Sequence, residues 1–402
     1  MDRFEWFPPE ILRHILSYMT DFVGIESLFL TSPWSRRVIE GQLCILRETF
    51  TSNPITSMPE IDKVVRQIVL ISDPSIHYTS FEHYHNSCCS TVGHGEGLDY
   101  AAMAPDQVFD TFHTAARIQR LACLCLDSMR RKFTSAVASA LGPPAGDRAA
   151  APPSWIEEFR VYEALWQLEH YSRLRRAAAG RWGWSEDEMA ETGRKYITSS
   201  NISRFSSEQI WTVAAVLADS GLAPVYETNA GIGGSTPECQ EEPVLERWAL
   251  PHETPIPCFE TLDLPVYDQK HVWSPPPVPD EDSTVQDIWS QTPRHRLSLT
   301  VSLAMIRSHT RIVTWRSGFE QSSRDLRDMR PFRRLGVSIW DTWRMYSVGL
   351  WTNIRRDSER PTPDGGVAYG SAFQLSVYET SARWLALVGK PPPDEKYKDL
   401  NS

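Results

Sequence analysis

Two stretches of the chain carry side chains able to do chemistry. Residues 77–94 hold His77, His83, His85, Cys88, Cys89 and His94, the imidazoles and thiols that bind zinc. A structural zinc ion needs four such ligands converging at about 2.0–2.3 Å, usually delivered in short paired spacings. The spacings here match no standard finger. The expectation is a polar surface loop without metal, with His83, His85, Cys88 and His94 as the ligand candidates. Further on, residues 294–356 hold 13 arginines against 4 acids. Arg324, Arg327 and Arg330 recur every three residues and Arg334 follows, a spacing that sets guanidinium groups on one face of a helix. Such a face suits a phosphorylated or acidic ligand gripped by paired N–H groups, or the phosphates of nucleic acid. The plainer reading has these arginines neutralised by Asp325, Asp328 and Asp341 and by the acidic span before them. The acidic balance of the whole chain puts nucleic acid last.

Signatures of catalysis are missing from the sequence. It contains no P-loop, no GxSxG, no HExxH and no dinucleotide fingerprint. AGIGGS at 230–235 is glycine-rich, but no strand pattern precedes it, so it reads as a loop and not as a phosphate cradle. Neither an enzyme nor a cofactor is expected.

The frame around these residues is that of an ordinary globular chain. Its 402 residues, 41% hydrophobic and with a net charge of -10, allow two or three domains, each with its own core. No run of about 18 apolar residues occurs, and Asp2, Arg3, Glu5 and Glu10 open the chain where a secretory leader would be apolar. A cytoplasmic or nuclear protein that does not enter the membrane is expected. The 7 cysteines, an odd number without regular spacing, are expected as reduced thiols. The 29 prolines argue for long irregular connections and the 15 tryptophans for large packing or binding faces.

Periodicity predicts helices along most of the chain. In FPPEILRHILSYM, Pro8 and Pro9 stand at a helix start, and Ile11, Leu12, Ile15, Leu16 and Met19 recur at spacings of three and four. Thr20 or Asp21 can cap a second helix through Ile25 and Leu28, and Ser32 with Pro33 a third through Val38, Leu43 and Leu46. MPEIDKVVRQIVL is helical, residues 72–104 turn polar, and Pro105 opens a long helix. GPPAGDRAAAPP (142–153) reads as a flexible connection. Ser154 and Glu157 form a capping-box signal for a helix with Trp155, Phe159, Tyr162 and Trp166 on one face. Ser206 or Ser207 caps another, burying Ile210, Trp211, Ala214 and Leu217 and ending at Gly221. Residues 223–293 contain 12 prolines, which exclude regular structure of any length; Trp248 and Trp273 dock this span on the helices, with recognition of WSPPPVP by SH3- or WW-type modules as the less common alternative. Helical patterns resume after 294, through SRDLRDMRPFRRLGVSIWDTWRMYSVGLW, and stop at Gly389 and Pro391.

The first segment resembles the F-box. That family's opening Leu-Pro-x-Glu-Ile-Leu appears as Phe7, Pro8, Pro9, Glu10, Ile11 and Leu12, its next apolar pair as Ile15 and Leu16, and its second-helix leucines as Ile25, Leu28 and Leu30. Phe7 replaces the leucine, and Trp34 comes earlier than the family's tryptophan. Three later patches, EFRVYEALWQLEHYSRL, SSEQIWTVAAVLA and RRLGVSIWDTWRM, are similar to those of filamentous-fungal F-box proteins that lack repeats. The resemblance implies a non-catalytic subunit of an SCF-type cullin-RING ubiquitin ligase. Pro8, Ile11, Leu12, Ile15, Leu16, Met19 and Leu28 would then form much of the interface to a Skp-family adaptor, and through it a cullin, or the packing beneath that interface, while the rest of the chain holds an unknown protein substrate. The alternative from another class is a helical scaffold whose F-box-like segment is part of its own core.

The fold class expected is mainly α. A three-helix F-box at 1–48 is followed by a helical region at 49–141, the connection at 142–153, a helical region at 154–222, the Pro-rich acidic loop at 223–293, an Arg-rich helical region at 294–390 and a tail at 391–402.

Overall fold

The computed structural model describes residues 2–92, 100–198, 204–220, 330–350 and 377–391. These are mostly α-helix, and no strand occurs among them. They fall into two compact units: residues 2–127 and 158–220 in the first, 128–157, 330–350 and 377–391 in the second. The chain crosses between the units inside two helices and not at the proline-rich connection, which lies wholly within the second.

In the first unit α1 (Pro9–Ser17), α2 (Phe22–Thr31), α3 (Pro33–Gly41) and α4 (Cys44–Ser52) follow in quick succession. Pro8 is the N-cap of α1, a place where the missing N–H costs nothing. Asp21 caps α2 by accepting from the N–H groups of Val23 (3.1 Å) and Gly24 (2.9 Å), and Ser32 caps α3 by accepting from Ser35 N–H (3.0 Å). The expected single third helix is two: the backbone leaves helical geometry at Gln42, and Leu46 belongs to α4. Behind α4 the buried Asn53 donates to Thr20 O (2.6 Å) and accepts from the N–H groups of Ile55 and Thr56, which fixes the turn below α1.

α5 (Pro59–Ser72), α6 (Phe81–Val92) and α7 (Pro105–Leu141) come next. α6 lies in the stretch expected to be a polar loop. It forms because its aromatic side, Phe81 and Tyr84, is buried beside Tyr78, Trp182 and Trp184, whose indole N–H groups donate to Ile76 O (3.0 Å) and Tyr78 O (2.7 Å). The first unit ends with α9 (Trp155–Arg176), a π-helical turn at Ala177–Arg181, α10 (Glu186–Thr198) and α11 (Arg204–Asp219). Glu157 accepts from Ser154 N–H (2.9 Å), half of the expected capping box, while Ser154 Oγ makes no bond. α9 was expected to bury one face, yet every side chain from Trp155 to Ser172 is buried. Among its acids Glu169 tolerates this because it is paired, lying 2.5 Å from Arg117 and 2.7 Å from Arg173. α11 begins at Arg204, so Ser206 and Ser207 lie inside the helix and do not cap it; Ile210, Trp211, Ala214 and Leu217 are buried as expected, and Gly221 lies outside the described residues.

In the second unit the segment 142–153, expected to be a flexible connection, carries a helix, α8 (Pro143–Ala149). Proline at the first turn is compatible with a helix, and Gly146 sits so close to Ala138 that a Cβ there would come within 2.6 Å of the alanine methyl. Residues 330–350 were expected to be continuous helix. They form two short helices, α12 (Arg330–Arg333) and α13 (Thr342–Ser347), because Gly336 takes φ +70 and turns the chain back, Val337 N–H donating to Phe332 O. α14 (Val377–Leu387) ends at Gly389 as expected, with Lys390 N–H donating to Leu385 O and Gly389 N–H to Ala386 O.

Candidate functional site

The 3.6-residue period divides the apolar residues of α1 into two stripes. Leu12 and Leu16 are buried completely, and Met19, half-buried, rests its tip against Gly24. Pro8, Ile11 and Ile15 are exposed, and so are Trp6 (78% exposed), Phe7 and Tyr18 (75%) on either side of them. Ile11, Ile15 and Tyr18 stand at i, i+4 and i+7, so they share one side of the helix. Leu28 on α2 is half-buried, whereas Leu30 is 68% exposed. The adaptor-facing set expected from sequence therefore separates. Leu12 and Leu16 are core; Pro8, Ile11 and Ile15 are surface. Trp6, Phe7, Tyr18 and Leu30 were not in that set, although Trp6 and Phe7 directly precede the motif and Tyr18 continues the stripe of Ile11 and Ile15.

The exposed side is held by a rigid back. Gln119 of α7, fully buried, donates to Asp21 (2.5 Å) and accepts from Val23 N–H (3.3 Å), joining the N-terminus of α2 to α7. Glu26 accepts from His113 Nδ1 (2.7 Å) and pairs with Arg120 (2.5 Å). Burial alone would raise the Glu26 pKa, but the bonds from His113 and Arg120 outweigh it and hold the carboxyl below its usual range. Phe22 packs against Phe50 and Phe112, and Phe29 against Phe109. At the start, Asp2 accepts from Ser32 Oγ (2.7 Å) and Trp34 N–H (2.9 Å), while Trp34 donates its indole N–H to Phe7 O (3.0 Å). These bonds fix the backbone of the exposed Phe7. They also place Trp34 beside the opening of the motif.

The described members of the His/Cys stretch do not come together as a ligand set. His83 is exposed and bonds to Thr79, His85 stacks on Phe81, Cys88 is buried, and His94 lies outside the described residues. Among the described residues no three His, Cys, Asp or Glu side chains are placed to hold a metal ion. The described thiols, Cys44, Cys88, Cys123 and Cys125, are unbridged.

Of the expected arginine face, Arg324 and Arg327 lie outside the described residues, as do Trp248, Trp273 and AGIGGS. Arg330 opens α12, and Arg334 is exposed in the turn after it. Arg344, from the same stretch, is buried and forms an internal pair with Glu157. Asp341 accepts from Arg344 N–H (2.6 Å). A different set of arginines lines a cleft of about 620 Å³ in the first unit, among them Arg117, Arg173, Arg176 and Arg181. Four arginines within RLRRAAAGR (173–181) were the sequence signal for it.

One further titratable group is fully enclosed. His170 lies between Tyr84 Oη (2.5 Å from Nε2) and Tyr196 Oη (2.6 Å from Nδ1). Tyr196 gives its proton to Gln167 Oε1 (2.8 Å), so His170 must donate from Nδ1 and accept from Tyr84 at Nε2. Burial, with a smaller effect of Lys63, pushes the imidazole pKa down to about 3. The ring is a neutral structural link in the core.

Among the described residues no helix is long and apolar enough to cross a membrane. Set against family models, curated proteins and solved structures, the chain matches none.

Proposed function

We propose that the chain is the substrate-recruiting subunit of an SCF-type cullin-RING ubiquitin ligase. The outer side of α1 binds a Skp-family adaptor, and through it a cullin, and the helical remainder holds an unidentified protein substrate. The observation that carries this reading is the division of α1, whose motif residues Leu12 and Leu16 anchor the helix while Pro8, Ile11 and Ile15 stay exposed between Trp6 and Tyr18. Aromatic and aliphatic side chains clustered in this way are the usual anchors of a protein interface. A recruiting subunit needs no nucleophile, since it contributes effective concentration and orientation to a transfer performed by a bound conjugating enzyme.

A second reading, a helical scaffold with an F-box-like segment, is favoured by the ties of Gln119, Arg120 and His113 to α2, which make the N-terminal helices part of the core of the first unit. The exposed apolar side of α1 is what that reading leaves without a role. Affinity purification with mass spectrometry separates the two. The wild type recovers a Skp-family adaptor, and a variant with Ile11→Glu and Ile15→Glu does not. Failure of the wild type to recover an adaptor supports the scaffold.

A further inference from the structure

The cleft of about 620 Å³ in the first unit is bounded by the end of α5, one side of α7, the last turns of α9 and the π-helical turn after it. Its side chains fall into two groups. Arg173 is fully engaged: its N–H groups reach Glu169 (2.7 Å), both oxygens of Asp110, Ser72 Oγ (3.1 Å) and Thr114 Oγ1 (2.7 Å). It neutralises Asp110 and braces the wall. Glu169, its side chain 3% exposed, is kept ionised against the effect of its burial by Arg117 and Arg173.

The second group has capacity left over. Arg117 spends one N–H on Glu169 (2.5 Å). Arg181 donates to Ile71 O and lies over the Trp182 ring, and Arg176, its side chain 56% exposed, comes no nearer than 4.0 Å to Glu169. His113 bonds Glu26 through Nδ1, which leaves Nε2 for other use. Four guanidinium groups thus line the cleft with two carboxylates, Asp110 and Glu169, with Asp73 near Arg181 as a third acid, and among the described residues most of the N–H groups of Arg117, Arg176 and Arg181 carry no protein acceptor. The π-helical turn, in which Trp182 N–H reaches five positions back to Ala177 O (2.8 Å), brings Arg176 and Arg181 to the same cleft.

From this geometry we infer that the cleft is a binding site for a phosphate monoester. A phosphate ester carries about −1.5 to −2 charge near neutral pH and three acceptor oxygens, which matches the unbalanced charge and the spare forked donors. A volume of several hundred Å³ has room for the phosphate and for the group that bears it. The phosphate can be borne by a peptide side chain or by a free small molecule; both present the same dianion. The inference stands apart from adaptor binding, so either can fail without the other.

The test is calorimetric titration of the full chain with inorganic phosphate, glucose 6-phosphate, a phosphoserine peptide and the same peptide without phosphate. Saturable binding of any phosphorylated probe, with no binding of the unphosphorylated peptide and weakening by salt, is the expected result. A preference for the phosphopeptide identifies a protein-borne phosphate, and a preference for the sugar phosphate a free one. Arg176→Gln, at an exposed position that carries no hydrogen bond, weakens binding about tenfold and leaves the melting temperature unchanged. Arg117→Gln provides the second variant. Absence of binding by every phosphorylated probe at 10 mM would overturn the inference, as would an affinity unchanged in Arg176→Gln.

Discussion

The carboxylate of Glu157 and the guanidinium of Arg344, 187 residues apart in the chain, meet in a buried two-point ion pair, with Nε to Oε1 at 2.8 Å and Nη2 to Oε2 at 2.7 Å. The remaining guanidinium N–H groups go to the carbonyls of Ala149 (2.9 Å), Ala151 (2.9 Å) and Pro152 (2.7 Å). Every donor of Arg344 is therefore used, and Glu157 also accepts from Asp341 N–H (2.9 Å). The pair holds the carbonyls at the end of α8 to the start of α13. It explains why Gly336, Trp340, Asp341 and Arg344 occur together: Gly336 turns the chain, Trp340 lies under the guanidinium at 4.9 Å, and Asp341 caps the helix that carries Arg344.

Removing one partner of this pair leaves a buried charge and orphaned carbonyls. Arg344→Met is expected to destabilise the second unit by about 3–5 kcal/mol, measured as a fall in the urea midpoint. The double variant with Glu157→Gln should lose less than the sum of the two single variants, because the carboxylate is then neutral.

Gly336 and Gly389 share φ +70 but not surroundings. A Cβ at 336 would approach Met129 Sδ to 2.8 Å and its Cβ to 3.0 Å, while at 389 it would meet nothing within 4 Å. Gly389→Ala should cost about 1–2 kcal/mol for the left-handed backbone alone. Gly336→Ala should cost about 1–3 kcal/mol more for overpacking against Met129, read as the difference between the two urea midpoints.

His170 sets an acid limit on stability. Its folded pKa of about 3 lies below the ordinary 6.5, so the unfolded chain binds the extra proton once the pH drops below 6.5. Its contribution is complete above pH 6.5 and is lost as the pH falls toward 3, with a slope of about 1.4 kcal/mol per pH unit. Between pH 6.5 and about 5.5 the paired carboxylates Glu26 and Glu169, whose pKa values are lowered from 4.5, are ionised in both the folded and the unfolded chain and add no slope of their own. His170→Asn should flatten the stability profile in that window, and thermal melts at half-unit pH steps would measure it.

Helices whose signals are local could be read from the sequence, and contacts made across long separations could not. Pro59, the Ser154 and Glu157 pair and Gly389 mark ends within one turn of the helices they bound, and those helices are found where expected. α6 was missed because FEHYHNSCC has no apolar period; its first N–H is satisfied by Glu188 (3.0 Å), 107 residues away. α8 was missed because Gly and Pro dominate it, and the small Ala138 against which it packs gives no signal in the sequence. In α1 the period of 3.6 separates Ile11 and Ile15 from Leu12 and Leu16 but cannot say which pair is inside. The inner pair is decided by the neighbours of α1, namely α3 and α4, so an Ile11 and Leu12 double substitution would damage the core together with the surface.

The exposed position of Ile11 and Ile15 makes the central claim testable without unfolding the protein. The decisive measurement is size-exclusion chromatography of the purified chain mixed with a purified Skp-family adaptor, wild type against the Ile11→Glu, Ile15→Glu variant, with melting temperatures taken in parallel. The account predicts an equimolar complex for the wild type and none for the variant at an unchanged melting temperature. A wild type that elutes apart from the adaptor, or a variant that still forms the complex, would contradict it.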